Sequence, residues 1–248
     1  MKELIIDSHV QVGTGESWSE PRRPVEYRVD FVLERAAQAG INRSCIAAPL
    51  NTSYKEPNRE VARVVERYPD RLMGFAVHSP QRETGRLRDM LVEEVNHMGL
   101  KGVKSDGHPT RELLDIVAEL GVPIIYYPDT IGCANLVEVY YTMALMYPGV
   151  NFILPHLGSY RSDEWSAHIQ AIDLMKRFPN LYAETSSIVN PKYLEQAARE
   201  LPAGKLIFGS FSPELDCRVE LFAITMLDLA EQERSKILGG NIKRLLHL

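Results

Sequence analysis

Eight short apolar runs alternate with helix-like segments along the whole of this 248-residue chain. The runs are mostly continuous rather than alternating in polarity, as expected for parallel strands that are covered on both faces. The predicted strands are Leu4–Val10, Ser44–Leu50, Leu72–Val77, Leu100–Lys104, Pro123–Tyr127, Asn151–His156, Leu181–Thr185 and Lys205–Gly209.

The segments between the runs have apolar residues at helical spacing, and most of them end at Gly or Pro. Thr110 is the expected N-cap of the fourth segment, because it lies three residues before Leu113. The predicted helices are Val29–Ala39, Asn58–Tyr68, Leu87–Met98, Leu113–Leu120, Leu136–Tyr147, Trp165–Phe178, Tyr193–Leu201 and Arg218–Leu229, followed by a helical segment at Gln232–Leu246.

Eight strand–helix pairs in this length predict an α/β protein with a single (β/α)8 (TIM) barrel domain over residues 1–248. The alternative is an open, doubly wound sheet. That fold normally has fewer strands, and the dinucleotide-binding form has a G-x-G-x-x-G motif after its first strand, which this chain lacks.

Composition restricts the classes of partner. The net charge is −5, which argues against a nucleic-acid partner or an anionic membrane surface. No stretch approaches the roughly 18 apolar residues of a membrane-spanning helix. The three cysteines, Cys45, Cys133 and Cys217, are far apart in sequence and form no metal-binding C-x-x-C. We therefore expect a cytoplasmic protein that binds a small-molecule substrate.

The carboxyl ends of the predicted strands carry the candidate functional side chains, because the active sites of TIM barrels lie on that face. The candidates are His9, Gln11, His78, Lys104, Tyr127, Asp129, His156, Glu184 and Phe211, with Arg161 just after the sixth strand.

Five segments of the sequence match motifs of a known enzyme superfamily. The motifs DSHVQVG, FILPHLGS, NLYAETSS, LIFGSFSP and ILGGNIKRLL resemble the amidohydrolase superfamily, in particular the amidohydrolase-2 group that includes aminocarboxymuconate-semialdehyde decarboxylase. The resemblance spans the whole chain. It implies a TIM barrel, hydrolase or lyase chemistry at a metal centre, and a homodimer.

The metal-binding motif of that group is altered in this sequence. The resemblance matches His9 to the first ligand and His156 to the histidine of the sixth strand. Gln11, Tyr127 and Phe211 stand where the group has a second histidine, a third histidine and an aspartate. A catalytic zinc site needs about three good ligands and an open position, and a phenylalanine ring cannot coordinate a metal.

Three functions remain open. The first is a hydrolase that acts without the usual metal centre on a lactone, ester or amide of a small carboxylate-bearing molecule. The second is a hydrolase or decarboxylase with a divalent metal, such as zinc, at an altered site. The third is a non-catalytic binding barrel. In the first, no cofactor is expected, and His9 is the only retained ligand of the group.

The first function assigns a role to each candidate. His156 is the predicted acid or base, since an imidazole exchanges protons near neutral pH. Lys104 is predicted to polarise a substrate carbonyl, Glu184 to orient His156 or pair with Lys104, and Asp129 to be a second base. The predicted substrate-binding residues are His9, Gln11, Tyr127, His78, Arg161 and Phe211.

Each of these residues also has a purely structural interpretation. Lys104 could form a buried salt bridge, and Tyr127 and Phe211 could fill the space that a metal would occupy. The long segment Gly13–Tyr27, with Trp18, Arg22 and Arg23, is either a lid over the site or a solvated loop.

Overall fold

Strands follow one another around a ring in the order of the chain. A computed structural model describes residues 3–126, 134–159 and 165–248. The strands are β1 (Ile6–Gln11), β2 (Gly13–Glu16), β3 (Pro24–Tyr27), β4 (Arg43–Ala47), β5 (Leu72–His78), β6 (Gly102–Ser105), β7 (Ile124–Tyr126), β8 (Phe152–Leu154), β9 (Leu181–Glu184) and β10 (Leu206–Ile207). All except β2 and β3 belong to one eight-stranded parallel sheet, so the predicted TIM barrel is confirmed.

Backbone hydrogen bonds between β1 and the segment at and after β10 close the ring. Ser8 N donates to Phe208 O at 3.0 Å, and Gln11 N donates to Ser212 O at 2.8 Å. The first and last parts of the chain therefore meet, and they place His9 beside the loop that follows β10.

Helices cover the outside of the barrel, and their ends follow the local sequence signals. Thr110 is the N-cap of its helix as predicted, because its hydroxyl accepts a hydrogen bond from Leu113 N. Gly121 ends the same helix in a left-handed conformation, with φ of 66°. The helices are α1 (Val29–Gln38), α2 (Lys55–Arg67), α3 (Leu87–Asn96), α4 (Arg111–Leu120), α5 (Ala134–Met146), α6 (Trp165–Arg177), α7 (Pro191–Glu200), α8 (Cys217–Thr225), α9 (Glu231–Ser235) and α10 (Asn241–Leu245).

The segment Gly13–Tyr27 is not simply a loop, because it contains an antiparallel hairpin. Gly13 pairs with Tyr27 and Glu16 pairs with Pro24. This hairpin of β2 and β3 lies between β1 and α1, and the sequence analysis did not predict it.

Several predicted elements are shorter than expected or are interrupted. The strand predicted at Lys205–Gly209, for example, is Leu206–Ile207. The strand predicted at Asn151–His156 ends at Leu154, because His156 and Leu157 adopt left-handed φ values of 57° and 49° and turn the chain. The helical segment predicted at Gln232–Leu246 is interrupted by a wide helical turn at Lys236–Gly240. At that turn, a Cβ on Gly239 would lie 2.4 Å from Leu4 O, so glycine allows the chain ends to pack closely.

None of the helices in the described ranges combines the length and the apolar character that crossing a bilayer needs.

A buried histidine between two carboxylates links β5 to the outer layer. His78 Nδ1 lies 2.9 Å from Glu83 Oε2, and His78 Nε2 lies 2.6 Å from Glu94 Oε2. Asn58 completes the group, since its amide donates to Glu94 and exchanges hydrogen bonds with the backbone of Val77. Burial by itself lowers the pKa of His78, but hydrogen bonds to Glu83 and Glu94 outweigh it and raise the pKa to about 9.

This raised pKa makes the stability of the protein depend on pH. The contribution of His78 is fully present below its unfolded pKa of about 6.5 and is lost as the pH rises through about 9. The shift corresponds to ~3 kcal/mol. We expect His78→Gln to lower the free energy of unfolding by ~3 kcal/mol more at pH 6 than at pH 10, as measured by urea denaturation.

His97→Gln is the matched control, because His97 is exposed at the end of α3. An equal loss of stability at pH 6 and pH 10 in His78→Gln would show that the imidazole is not charged in the folded protein.

Candidate active site at the carboxyl ends of the strands

The carboxylate of Glu184, the last residue of β9, is the centre of a buried polar cluster. Its Oε1 accepts hydrogen bonds from His156 N at 2.7 Å and Ser186 Oγ at 2.9 Å, and lies 3.1 Å from His9 Nδ1. Its Oε2 accepts from Ser186 N at 2.8 Å. Burial opposes the charge, but the neighbouring imidazoles and these donors outweigh it and hold the pKa of Glu184 below its usual range.

His9 is held as a neutral imidazole between an acceptor and a donor. Burial and the nearby charge of Lys104 lower its pKa to about 3. Because Nδ1 faces the Glu184 carboxylate, Nδ1 carries the proton and Nε2 accepts a hydrogen bond. That bond comes from Lys104 Nζ at 2.9 Å. Glu184 therefore sets the tautomer of His9, and His9 in turn orients the lysine.

Lys104, on β6, is a buried cation among aromatic rings. Its side chain is inside the protein, with 4% of the residue exposed. Its Nζ lies 3.8 Å from the centre of the Trp18 ring and 5.7 Å from that of Phe211. Burial lowers the pKa of Lys104 to about 7, although Glu184, Glu214 and Asp106 partly oppose the shift. Near neutral pH both the ammonium and the amine are therefore populated.

His156 lies next to this group in a strained backbone conformation. Its φ of 57° is uncommon for a residue with a side chain, and such strain clusters at functional sites. Its Nδ1 lies 2.9 Å from Ser186 Oγ and 3.2 Å from Glu184 Oε1. These oxygens favour a proton on Nδ1, which leaves Nε2 as the basic nitrogen. Burial lowers the pKa of His156, so the ring is neutral at pH 7.

Phe211 packs against both imidazoles from the loop after β10. Its ring centre lies 4.9 Å from that of His9 and 4.7 Å from that of His156. Its φ of 57° lies in the left-handed region, where residues with a side chain are uncommon. An apolar ring here lowers the local polarity and strengthens the remaining electrostatic interactions.

Three side chains of the cluster have atoms that can coordinate a divalent ion. His9, His156 and Glu184 each offer an atom, and these atoms lie within 4.8 Å of one another, so together they could hold a metal. In the observed arrangement, however, the lone pair on His9 Nε2 faces the Lys104 Nζ, and Glu184 is engaged by hydrogen-bond donors. An ion would have to displace the lysine, so the arrangement fits an ammonium group rather than a metal.

The side-chain amide of Gln11, at the end of β1, is buried without hydrogen-bond partners among the described residues. Its side chain is completely buried, and among the described residues neither its amide nitrogen nor its amide oxygen has a partner. Gln11 is the last residue of β1 and lies two residues after His9, beyond the irregular pairing between Asp7 and Val10. Unpaired buried amide groups are costly, and a bound ligand could satisfy them.

The other predicted site residues differ in their placement. His78 lies outside this cluster, and Glu83 and Glu94 occupy both of its ring nitrogens, so the contacts do not support its predicted contact with substrate. Tyr127, Asp129 and Arg161 lie outside the described residues.

Three residues of the neighbourhood were not singled out as site residues from sequence. Ser186 bonds to Glu184 and His156, and its place two residues after Glu184 was a signal that could have been used. The sequence indicated Trp18 only as part of the long segment Gly13–Tyr27. No local sequence pattern indicated Glu214, because its partners lie nearly 200 residues away along the chain.

Comparison with known proteins agrees with this architecture. The family model described as amidohydrolase, of the amidohydrolase-2 group, matches residues 6–248. The chain therefore belongs to the amidohydrolase-2 family. A search among curated proteins finds no match to it.

Three solved structures illustrate the shared fold. A 5-carboxyvanillate decarboxylase from Sphingomonas paucimobilis is 13% identical, with a TM-score of 0.75 and 100% of each chain covered. A dihydroxybenzoic acid decarboxylase from Polaromonas, with bound manganese and the inhibitor 2-nitroresorcinol, is 18% identical, with a TM-score of 0.75 over 99% of this chain and 97% of that one. A probable 2-pyrone-4,6-dicarboxylic acid hydrolase from Acinetobacter baumannii, with bound citric acid, is 18% identical, with a TM-score of 0.75 over 98% of this chain and 99% of that one.

Gly209, two residues after β10, lies close to the Glu184 carboxylate, and this close approach allows a test of the site geometry. A Cβ on Gly209 would lie 2.5 Å from Glu184 Oε2 and 3.1 Å from Ser8 Oγ. We expect Gly209→Ala to lower the free energy of unfolding by about 1–3 kcal/mol, because the added methyl group must displace the buried carboxylate. Urea denaturation measures the change.

Gly204→Ala is the control, since the nearest heavy atom to its added Cβ would be 4.0 Å away. Equal stability of the two variants would contradict the packing described for Glu184.

Proposed function

We propose that this protein hydrolyses a lactone, ester or amide of a small carboxylate-bearing molecule without a divalent metal. The observation that carries the proposal is the chain of contacts from Lys104 through His9 to Glu184, at 2.9 and 3.1 Å. A lysine held by the one retained ligand of the family's metal site can supply the positive charge that the metal supplies elsewhere.

The residues divide the chemistry between them. The Lys104 ammonium donates a hydrogen bond to the carbonyl oxygen of the substrate and stabilises the negative charge that develops there. His156, neutral at pH 7, accepts a proton from the attacking water through Nε2 and returns it to the leaving oxygen or nitrogen as the C–O or C–N bond breaks. Glu184 orients both imidazoles, and the unpaired amide of Gln11 binds a polar group of the substrate. Asp129 stays in the proposal as a second base.

The substrate class is supported by the relatives as well as by the site. The solved structures carry the names of carboxylates, namely carboxyvanillate, dihydroxybenzoic acid and pyrone dicarboxylic acid. The lysine provides a buried positive charge that suits an anionic molecule, and Arg161 is proposed as a second carboxylate-binding group.

Decarboxylation of a similar molecule is the second candidate. Two of the three structures are decarboxylases, and the aromatic rings of Trp18 and Phe211 provide apolar surroundings beside the cation. Measuring released CO2 in the same assays separates this reaction from hydrolysis.

We also propose that the protein is a cytoplasmic homodimer. Two of its cysteines, Cys45 and Cys217, are free and buried, which suits a reducing compartment. The dimer rests on the family alone, and analytical ultracentrifugation tests it.

The first test concerns metal. We expect the purified protein to contain much less than one equivalent of zinc or manganese by elemental mass spectrometry. Turnover should be unchanged after dialysis against EDTA, because Lys104 takes the place of an ion. Stoichiometric metal, with activity lost on chelation and restored by zinc or manganese, would replace this proposal with a metal-dependent one.

The second test removes the proposed catalytic groups. On a panel of carboxylate-bearing lactones, esters and amides, His156→Ala should lower kcat by about 10²–10⁴-fold through loss of the base. Lys104→Met should lower kcat by about 10²–10³-fold through loss of charge stabilisation.

His97→Ala, on the exposed end of α3, is the control and should keep the wild-type rate. Unchanged turnover in His156→Ala removes that residue from the mechanism. A folded wild-type protein that turns over no member of the panel and releases no CO2 favours the non-catalytic barrel.

A further inference from the structure

The carboxylate of Glu214, in the loop after β10, accepts several hydrogen bonds from one segment of the chain. The cover segment, residues 17–27, runs from the end of β2 to the end of β3 and supplies all five donors that Glu214 has among the described residues. They are Ser17 Oγ at 2.6 Å, Trp18 N at 3.1 Å, Ser19 Oγ at 2.7 Å, Arg23 Nη2 at 3.1 Å and Tyr27 OH at 2.7 Å.

Glu214 is well placed to hold this segment as an ionised group. Its side chain is 2% exposed. Burial alone raises the pKa of Glu214, but the hydrogen bonds from Ser17, Ser19 and Tyr27 and the charge of Arg23 outweigh it and lower the pKa. Hydrogen bonds to a charged acceptor are roughly twice as strong as neutral ones, so these contacts add to the β2–β3 pairing in holding the cover segment in place.

Trp18 connects the cover segment to the buried lysine. Its backbone N–H donates to Glu214, and its indole Nε1 donates to Ala48 O at 3.2 Å. The indole ring lies 3.8 Å from Lys104 Nζ, in the geometry of a cation–π contact. The carboxylate of Glu214 thereby fixes the position of a ring that lies against Lys104.

The polar cluster beneath this cover is closed to solvent. Lys104, His9 and His156 are 4%, 2% and 3% exposed, respectively. A molecule that reaches Lys104 Nζ past the indole must displace Trp18, whose backbone N–H is held by Glu214 and whose indole N–H is held by Ala48 O. Lids of this kind commonly control access to barrel sites.

We infer that Glu214 is a positioning residue, a latch that holds Trp18 over Lys104 and whose release opens the site. The inference concerns the site of the proposed function, but its test requires no turnover. If the experiment shows that Glu214 does not hold Trp18 in place, the proposed hydrolase activity is unaffected. If the protein shows no turnover, the role of Glu214 as a latch is unaffected.

The test compares Glu214→Gln with Glu26→Gln, a matched control in the same cover segment with an exposed side chain. All proteins carry Trp165→Phe, which leaves Trp18 as the sole tryptophan of the chain. One readout is the quenching of Trp18 fluorescence by acrylamide. The other is the acetylation rate of Lys104 by acetic anhydride, measured by mass spectrometry relative to the exposed Lys101. It is measured at about pH 9.5, where the Lys104 amine predominates whether or not residue 214 is charged, so the rate reports access to Lys104 rather than a change in its pKa.

We expect Glu214→Gln to increase the relative acetylation rate of Lys104 at least about tenfold, which corresponds to the loss of one hydrogen bond to a charged group. Quenching of Trp18 should rise in the same variant. Glu26→Gln should match the parent protein in both readouts, and circular dichroism should show the native fold in all three.

Parent values of both readouts in a folded Glu214→Gln variant, or an equal rise in Glu26→Gln, overturn the inference. If Glu214→Gln does not fold, the double variant Ser19→Ala/Tyr27→Phe replaces it, since it removes two donors and leaves the carboxylate in place. Parent values in that double variant overturn the inference as well.

Discussion

A single buried carboxylate, that of Glu184, organises the centre of this barrel. An ionised carboxylate inside a protein is stable only when several donors surround it, and here the donors come from β1, from the turn after β8 and from the loop after β9. Glu184 thereby sets the tautomer of His9 and holds the backbone N–H of His156 in the left-handed turn, and His9 in turn contacts Lys104.

The same buried cluster also contains a cation and an aromatic ring. Lys104 Nζ contacts His9, and Phe211 packs on both imidazoles. A lysine amine exchanges a proton near neutral pH when it is buried, whereas a metal ion keeps its charge. Under the proposed function, Lys104 takes over the charge of a metal ion, while the barrel that presents the site stays the same.

Sequence reasoning predicted the elements well and the contacts between them unevenly. The alternation of runs and helices predicted the barrel, and Thr110 predicted a helix start, because both depend on local patterns. The strand-end rule brought His9, Lys104, His156 and Glu184 to one face of the barrel, and the structure places them in contact. The same rule also selected His78, whose ring is engaged by Glu83 and Glu94 instead, and local spacing does not reveal such partners. The hairpin of β2 and β3 was not predicted either, because its short strands contain no apolar run.

The sequence by itself determined the fold class and the family resemblance, because both depend on residue identity and order along the chain. Only the tertiary structure decided which charges meet. Glu184 contacts His9 across 175 residues, Lys104 contacts His9 across 95, and Glu214 contacts Trp18 across 196. Pairings at such separations arise when the ring of strands closes, and a hydrogen bond then depends on positions in space that no local pattern encodes.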